Sequence, residues 1–279
     1  MAYAIGIMQG RLSRPVQNRI QAFPSQTWEQ EFKTASQIGL AAIEWIFEEP
    51  YAENPLWSPA GREEIKKHTA ETGVRVDHVC ADYFMEHPFF RVSAAEGQQS
   101  SAILKELIPF CREIGAKSVE LPFLDNSRID SQEEMDATVR AMRAALPVAQ
   151  EEKLAIALET SLAAPAFRKL LEDMDHPLVK AVYDIGNSAS LGYDTSEEIA
   201  ALGKYLSNVH IKDRLLGAGT VPLGQGNADF AKTFQALKDL NYQGDFTLQV
   251  ARGEEGQEVE TAKKHFDLLK NLLNDYFIK

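Results

Sequence analysis

Apolar positions along this chain follow two periods in alternation. Short runs that are continuously or alternately hydrophobic, such as Val179-Lys-Ala-Val-Tyr-Asp184, read as strands. Between them apolar residues return every three or four positions, as Trp28, Phe32, Ala35 and Ile38 do before a stop at Gly39. The strands predicted in this way are Ala4–Gln9, Ala41–Ile46, Val74–Asp82, Ala116–Leu121, Leu154–Glu159, Val179–Asp184, Leu206–Lys212 and Asp245–Val250. Helix starts fall between them. Ser58-Pro59 places a proline in a first turn. Ser93 with Glu96, Ser131 with Glu134 and Thr195 with Glu198 fit the capping box, in which a hydroxyl and a carboxylate satisfy the free amides of a helix start. The last helix is predicted from Glu258 to Tyr276.

Eight strand–helix units in 279 residues is roughly 35 residues per unit, which suits a (β/α)8 TIM barrel of ordinary size. The reading is therefore one α/β domain spanning residues 1–279. A doubly wound open sheet is the rival, but the first turn reads Met8-Gln9-Gly10-Arg11 and lacks the glycine pattern that cradles a dinucleotide. Arg11–Ser25 is the longest irregular connection, expected to be a lid, a subunit contact in a homo-oligomer, or a solvated loop.

Charge narrows the partners. Lys and Arg number 29 against 41 Asp and Glu, so 29 − 41 gives −12, which disfavours nucleic acid and anionic membrane surfaces. The first residues show no basic region leading into an apolar run, and no stretch approaches a bilayer span, so a cytoplasmic location is expected. Cys80 and Cys111 stand apart, in no Cys-x-x-Cys pattern, and read as small apolar side chains.

Strand parity supplies candidate chemistry. With a period of two, Val209 and Ile211 face one way while Asn208, His210 and Lys212 face the other. In the fifth strand Ala155, Ala157 and Glu159 point inward; the sixth ends on Asp184, and in the eighth Gln249 points inward. Four successive strands thus finish with Glu159, Asp184, His210 and Gln249, oxygen and nitrogen donors aimed at the carboxyl mouth where barrels of this kind keep their chemistry. Such a set reads as a metal site, since carboxylates buried without compensation are costly; the bland alternative is a polar rim satisfying hydrogen bonds.

Three segments, Tyr183-Asp184-Ile-Gly-Asn187, Val209-His-Ile-Lys-Asp213 and Val221-Pro-Leu-Gly-Gln-Gly-Asn-Ala-Asp-Phe230, carry a resemblance. The chain resembles the xylose-isomerase-like barrels, a family of sugar and sugar-phosphate isomerases and epimerases, over nearly its whole length. The resemblance implies a Glu, an Asp, a His and a second Glu around one divalent ion, with the two glutamates handling protons. Glu159, Asp184 and His210 match three of these places. The fourth falls on Gln249, and Gln225 stands where sugar-phosphate relatives tend to have Glu. Asn187 occupies a substrate-contacting place.

Proton movement next to a carbonyl passes through an enediolate, whose negative oxygen needs fixed positive charge. The donor set suits Mn²⁺, Mg²⁺, Co²⁺ or Zn²⁺. Glu159 and Gln249 are the candidate catalytic residues, Glu159 as general base and Gln249 in the second acid's place. Glu44, Glu120, His78, Asp82, Asn187 and Lys212 are candidate contacts for a small carbohydrate or carbohydrate phosphate; the four outside the resemblance are read equally as structural hydrogen-bonders. The expected activity is a metal-dependent isomerase or epimerase of a ketose or ketose phosphate. The alternatives are a non-catalytic sugar- and metal-binding barrel and, against the charge balance, a metallohydrolase acting at abasic sites in DNA.

Overall fold

A computed structural model describes residues 3–278, so the outermost residues of the 1–279 span lie outside it. Eight parallel strands close a barrel: β1 Ile5–Met8, β2 Ala42–Ile46, β3 Arg75–Cys80, β4 Ser118–Phe123, β5 Ala155–Thr160, β6 Val179–Asp184, β7 Leu206–Ile211 and β8 Asp245–Leu248. Each pairs with the next in sequence, and β8 returns to β1 through Ile5–Phe246 and Ile7–Leu248. This is the (β/α)8 barrel expected from the alternating periods. Apolar side chains of the strands' outer faces, among them Ile43, Val79, Val119, Ile156, Val209 and Phe246, are sealed beneath the helices that follow each strand. Burial of this kind contributes about 25 cal/mol per Å² of apolar surface and is the main source of stability.

The helix starts form where hydroxyls stand ready. Ser58 accepts from the Gly61 amide with Pro59 at the first position, and Ser93 with Glu96 makes the full reciprocal box. Ser131 caps through the Glu134 amide, but the Glu134 carboxylate turns to the Asp130 amide instead. Thr195 and Glu198 do not form a box at all. Asp194 caps that helix, because Thr195 and Glu198 are buried in a cluster with Tyr183, whose hydroxyl bonds Thr195 Oγ1 at 2.7 Å and Glu198 Oε2 at 3.1 Å.

Some boundaries move for identifiable reasons. β3 stops at Cys80, since Asp82 already has helical backbone angles and leads into the turn Tyr83–Glu86. β4 runs two residues beyond the expected end, through Pro122. Its ladder with β3 ends at Glu120, so the missing proline N–H leaves no partner unpaired there, while pairing with β5 continues to Phe123. The final α-helix ends at Leu273 and widens into a π turn over Asn274–Ile278. A short antiparallel hairpin, Asp213–Arg214 with Thr220–Val221, has no counterpart in the predicted elements.

The long connection after β1 is anchored near both ends, while Arg14 and Gln17–Ile20 between the anchors are exposed, as a solvated loop would be. The buried Glu31 carboxylate accepts from the Gly10 and Leu12 amides and from Ser13 Oγ. Arg11 donates to the carbonyls of Val250 and Ile20, and Arg252 to those of Ile20 and Ser13. Gly10 has a φ of +81° with Ala22 O only 2.7 Å from where a Cβ would sit, so a side chain there would be strained and crowded. Among the described residues, no helix is long and apolar enough to cross a membrane.

Candidate active site

Unusually for a barrel, the interior is layered with polar groups. At the amino end His78 bonds Ser118 Oγ at 2.8 Å and Asp245 Oδ2 at 3.0 Å, and Lys117 reaches both Asp245 and Asp77. His78 was expected among the substrate contacts. Its ring is instead directed to the start of β4 and β8, far down the strands, so it does not face the mouth.

The next layer centres on His210, which is fully enclosed. Its Nε2 lies 3.2 Å from Glu44 Oε2 and 3.4 Å from Glu120 Oε2, while Asn208 Nδ2 also donates to Glu44 at 3.0 Å. Glu44 and Glu120 were likewise expected to meet substrate. Register explains the difference: Glu120 is level with Ala157, and it is Pro122, two residues on, that lies opposite Glu159. Both carboxyl groups therefore sit beneath the mouth and hold an imidazole. Burial drives the Glu44 carboxyl up, but the charge and hydrogen bond of His210 outweigh it and hold Glu44 below the usual carboxylate range. Burial, with the Glu44 charge added, pushes Glu120 well up despite His210.

The other ring nitrogen points upward. His210 Nδ1 is buried without a hydrogen-bond partner and lies 3.8 Å from Glu159 Oε2. Donor atoms of Glu159, Asp184 and His210 all lie within 4.8 Å of one another. Three of the four expected ligands are brought together in this way. Asn187 Nδ2 donates to Glu159 Oε1 at 2.7 Å, and its backbone amide to Asp184 Oδ1 at 2.8 Å, so both carboxylates are held from one residue. Burial and the neighbouring Asp184 charge raise Glu159 above the ordinary carboxylate value.

Gln249 follows β8 directly, and its amide stays on the ladder through Ile211 O. Its side-chain oxygen accepts from Lys212 Nζ at 3.0 Å, and the same ammonium donates to Asp184 Oδ2 at 3.1 Å. Lys212 shows that Asp184 and Gln249 together receive a cation, and its nitrogen stands where a metal ion bound by the pair would compete. The orphaned Nδ1 and the two carboxylates form a donor set that fits a hard or borderline divalent ion, with the Gln249 oxygen linked to Asp184 through Lys212.

Above the cluster opens a cavity of about 410 Å³ lined by Glu159, Lys212, Gln249, Asp82, Gln21 and Cys80, with Arg19, Glu48 and Asp125 among the outer residues. A second hollow of about 450 Å³ shares Lys212 and Asp125 and adds Asn187, Arg128 and Arg214. Gln21, Arg11 and Arg214 were not foreseen as site residues. Gln21 arrives on the long first loop. Arg214 Nη1 donates to Asn187 Oδ1 at 2.8 Å and so joins the second hollow to Glu159 through one amide. Its position depends on Asp213, whose buried carboxylate gathers the amides of Gly224, Gly226 and Ala228. The glycine-rich segment therefore has a structural task. Gln225, at its centre, is exposed.

Fold and cluster define a (β/α)8 barrel with a carboxylate–imidazole centre at the carboxyl ends of its strands. The family model for the xylose isomerase-like TIM barrel matches residues 32–272, and the chain belongs to that family. L-ribulose-5-phosphate 3-epimerase UlaE of Salmonella typhi is 24% identical over 249 residues, covering 85% of this chain and 87% of its own. Among solved structures, the D-psicose 3-epimerase of Clostridium cellulolyticum H10 with D-tagatose has a TM-score of 0.77 at 15% identity, covering 97% of this chain and 99% of its own. The IOLI protein with a bound zinc atom has a TM-score of 0.77 at 17% identity, covering 98% and 99%. Sugar epimerases recur among both the sequence relatives and the structural neighbours.

Proposed function

We propose that this protein is a divalent-metal-dependent isomerase or epimerase of a ketose or ketose phosphate, working through an enediolate. The observation that carries the reading is the convergence of Glu159, Asp184 and the partnerless His210 Nδ1 beneath a cavity of sugar size. The epimerase activity in the names of its relatives supports it. Glu159, Asp184, His210 and Gln249 would hold the ion, Mn²⁺, Mg²⁺, Co²⁺ or Zn²⁺; bound there, it supplies positive charge to the oxygen that becomes negative.

The protein's own groups do the rest. Glu159 is the general base: it lines the cavity, and its raised affinity for a proton suits a carboxylate that must take one from carbon. Asn187 fixes the carboxylate's direction through Oε1 and leaves Oε2 for the proton. Lys212, lining both hollows, is placed for a hydroxyl or phosphate oxygen of the ligand. The family's second acid is absent, since Gln249 is neutral near pH 7. That favours a second reading, a barrel that binds sugar without turning it over.

Metal analysis joined to solvent-deuterium exchange over free and phosphorylated 2-ketoses separates the two. The enzyme reading expects deuterium in the recovered sugar, loss of bound metal in His210→Ala with the fold intact, and turnover lowered by about 10²–10⁴ in Glu159→Gln with sugar binding within roughly tenfold. Metal and sugar binding without exchange would establish the binder instead.

A further inference from the structure

Four side chains along the cavity wall form one hydrogen-bond chain whose direction can be read from its donors. Lys212 Nζ has only hydrogens to give, so the Gln249 atom facing it at 3.0 Å is the carbonyl oxygen. Gln249 Nε2 must then donate, and it does so to Gln21 Oε1 at 3.0 Å, which also receives Arg11 Nη2 at 3.3 Å. Two donors fix Gln21 Oε1 as the acceptor end. Gln21 Nε2 is left to donate to Asp82 Oδ2 at 2.8 Å, and the Cys80 thiol meets the other Asp82 oxygen at 3.3 Å. The chain thus starts on the ammonium beside Asp184 and ends on a carboxyl group that lies one glutamine amide beyond Gln249.

We infer that Asp82 is the second proton-handling residue of this site, standing in for the acid that Gln249 lacks. The inference rests on the isomerase or epimerase reading and assigns it inversion at the carbon next to the carbonyl. Asp82, just past the end of β3, and Glu159, on β5, line one cavity. Other acids around it are occupied or peripheral: Glu48 is bonded by Arg19 and the Phe23 amide, Glu49 faces His87 at 3.3 Å, and Glu86 and Asp125 are exposed. Burial pushes Asp82 above the ordinary carboxyl value, with the bonds from Gln21 and Cys80 pulling part of the way back. A carboxyl group that holds its proton more tightly than an exposed one suits a proton donor to carbon.

The step balances without a further reactant. Glu159 takes the proton as the C–H bond breaks and the enediolate forms. Asp82 delivers its own proton to the opposite face of the same carbon, making a new C–H bond and becoming a carboxylate. Glu159 then loses its proton to water, Asp82 regains one, and the sugar leaves as its epimer.

The test is Asp82→Asn in the metal-loaded protein, assayed in D₂O with L-ribulose, L-ribulose 5-phosphate, D-fructose and D-tagatose. Inversion should fall by at least about 10²-fold, while Glu159-dependent deuterium exchange at the same carbon stays within roughly tenfold of wild type. A merely structural role would lower both together. Adding Gln249→Glu to Asp82→Asn should restore inversion by putting an acid directly after β8. Inversion at the wild-type rate in Asp82→Asn would overturn the assignment, and so would joint loss of inversion and exchange with metal content and sugar affinity unchanged. Asp82→Ser, which keeps an acceptor for Gln21 but no acid, gives the same readout should Asp82→Asn not fold. A wild type that exchanges none of these sugars would instead overturn the proposed function and this assignment with it.

Discussion

Glu44→Gln isolates the role of the carboxylates beneath the imidazole. Nε2 of His210 carries one hydrogen and faces two carboxyl oxygens, at 3.2 Å on Glu44 and 3.4 Å on Glu120. A proton held at Nε2 leaves the Nδ1 lone pair for an ion. Of the two, Glu44 stands closer and makes the hydrogen bond to Nε2, so it orients the ring more strongly, and Glu120 Oε2 adds an ion-pair contact without one. Removing a carboxylate that orients a ligating histidine lowers metal affinity by about 10–100-fold, or roughly 1.4–2.7 kcal/mol. Glu120→Gln should cost less than about threefold, because Glu120 Oε2 makes no hydrogen bond to the ring. The double substitution should exceed the sum of the singles, since each carboxyl group can partly serve when the other is gone. A Zn²⁺ competition titration against a chromophoric chelator, with circular dichroism to confirm the fold, measures all four proteins. Affinity within twofold of wild type in Glu44→Gln, or a larger loss in Glu120→Gln, would refute the reasoning.

Three further outcomes are expected. Burial alone would lower His210, but Glu120 and Glu44 raise it well above its ordinary value; the metal-free ring therefore holds its proton more tightly than a free imidazole, and an ion must displace it. Apparent Zn²⁺ affinity should rise with pH, with proton release visible by calorimetry in buffers of different ionisation enthalpy, and a flat profile would contradict this. Burial lifts Glu198 to about 7 from an ordinary 4.5, so the folded protein keeps a proton that the unfolded chain has lost between those values. Stability should fall by up to about 3 kcal/mol as pH rises through that window, and Glu198→Gln should flatten the dependence in urea unfolding. Gly226→Ala would set a Cβ 2.1 Å from Asp213 Oδ1, whereas Gly224→Ala meets open space and only an unfavourable φ of +83°. The first should cost about 1–3 kcal/mol and the second about 1; the reverse order would show that the Asp213 nest does not organise the loop.

Much of this was legible because two periods of hydrophobicity give barrels away, and because a strand's parity places every second residue. Glu159, Asp184 and His210 each end an inward-facing series, so their meeting at the mouth followed from counting. Depth was not legible. Glu44, Glu120 and His78 share the same parity as true mouth residues, and only the stagger between strands decides how far up the axis each sits. Thr195 and Glu198 fit a capping pattern that a tertiary cluster around Tyr183 overrode. Gln21 and Arg214 carry no local signal at all: one is delivered by a loop held by Glu31, the other by a hairpin closed around Asp213.

The tie-down of Arg11–Ser25 bears on the thermodynamics of ligand capture. A coil that had to settle over an arriving sugar would charge roughly 0.5–1.5 kcal/mol for each rotamer-rich side chain it froze. Here the Glu31 carboxylate, with Arg11 and Arg252, has ordered that segment during folding, and Gln21 is already lodged between Gln249 and Asp82. Association then loses little conformational entropy at the anchored ends of the segment, and the Leu12 and Phe23 amides, bonded to Glu31 and Glu48, should exchange with solvent at nearly the same rate whether or not a sugar is present.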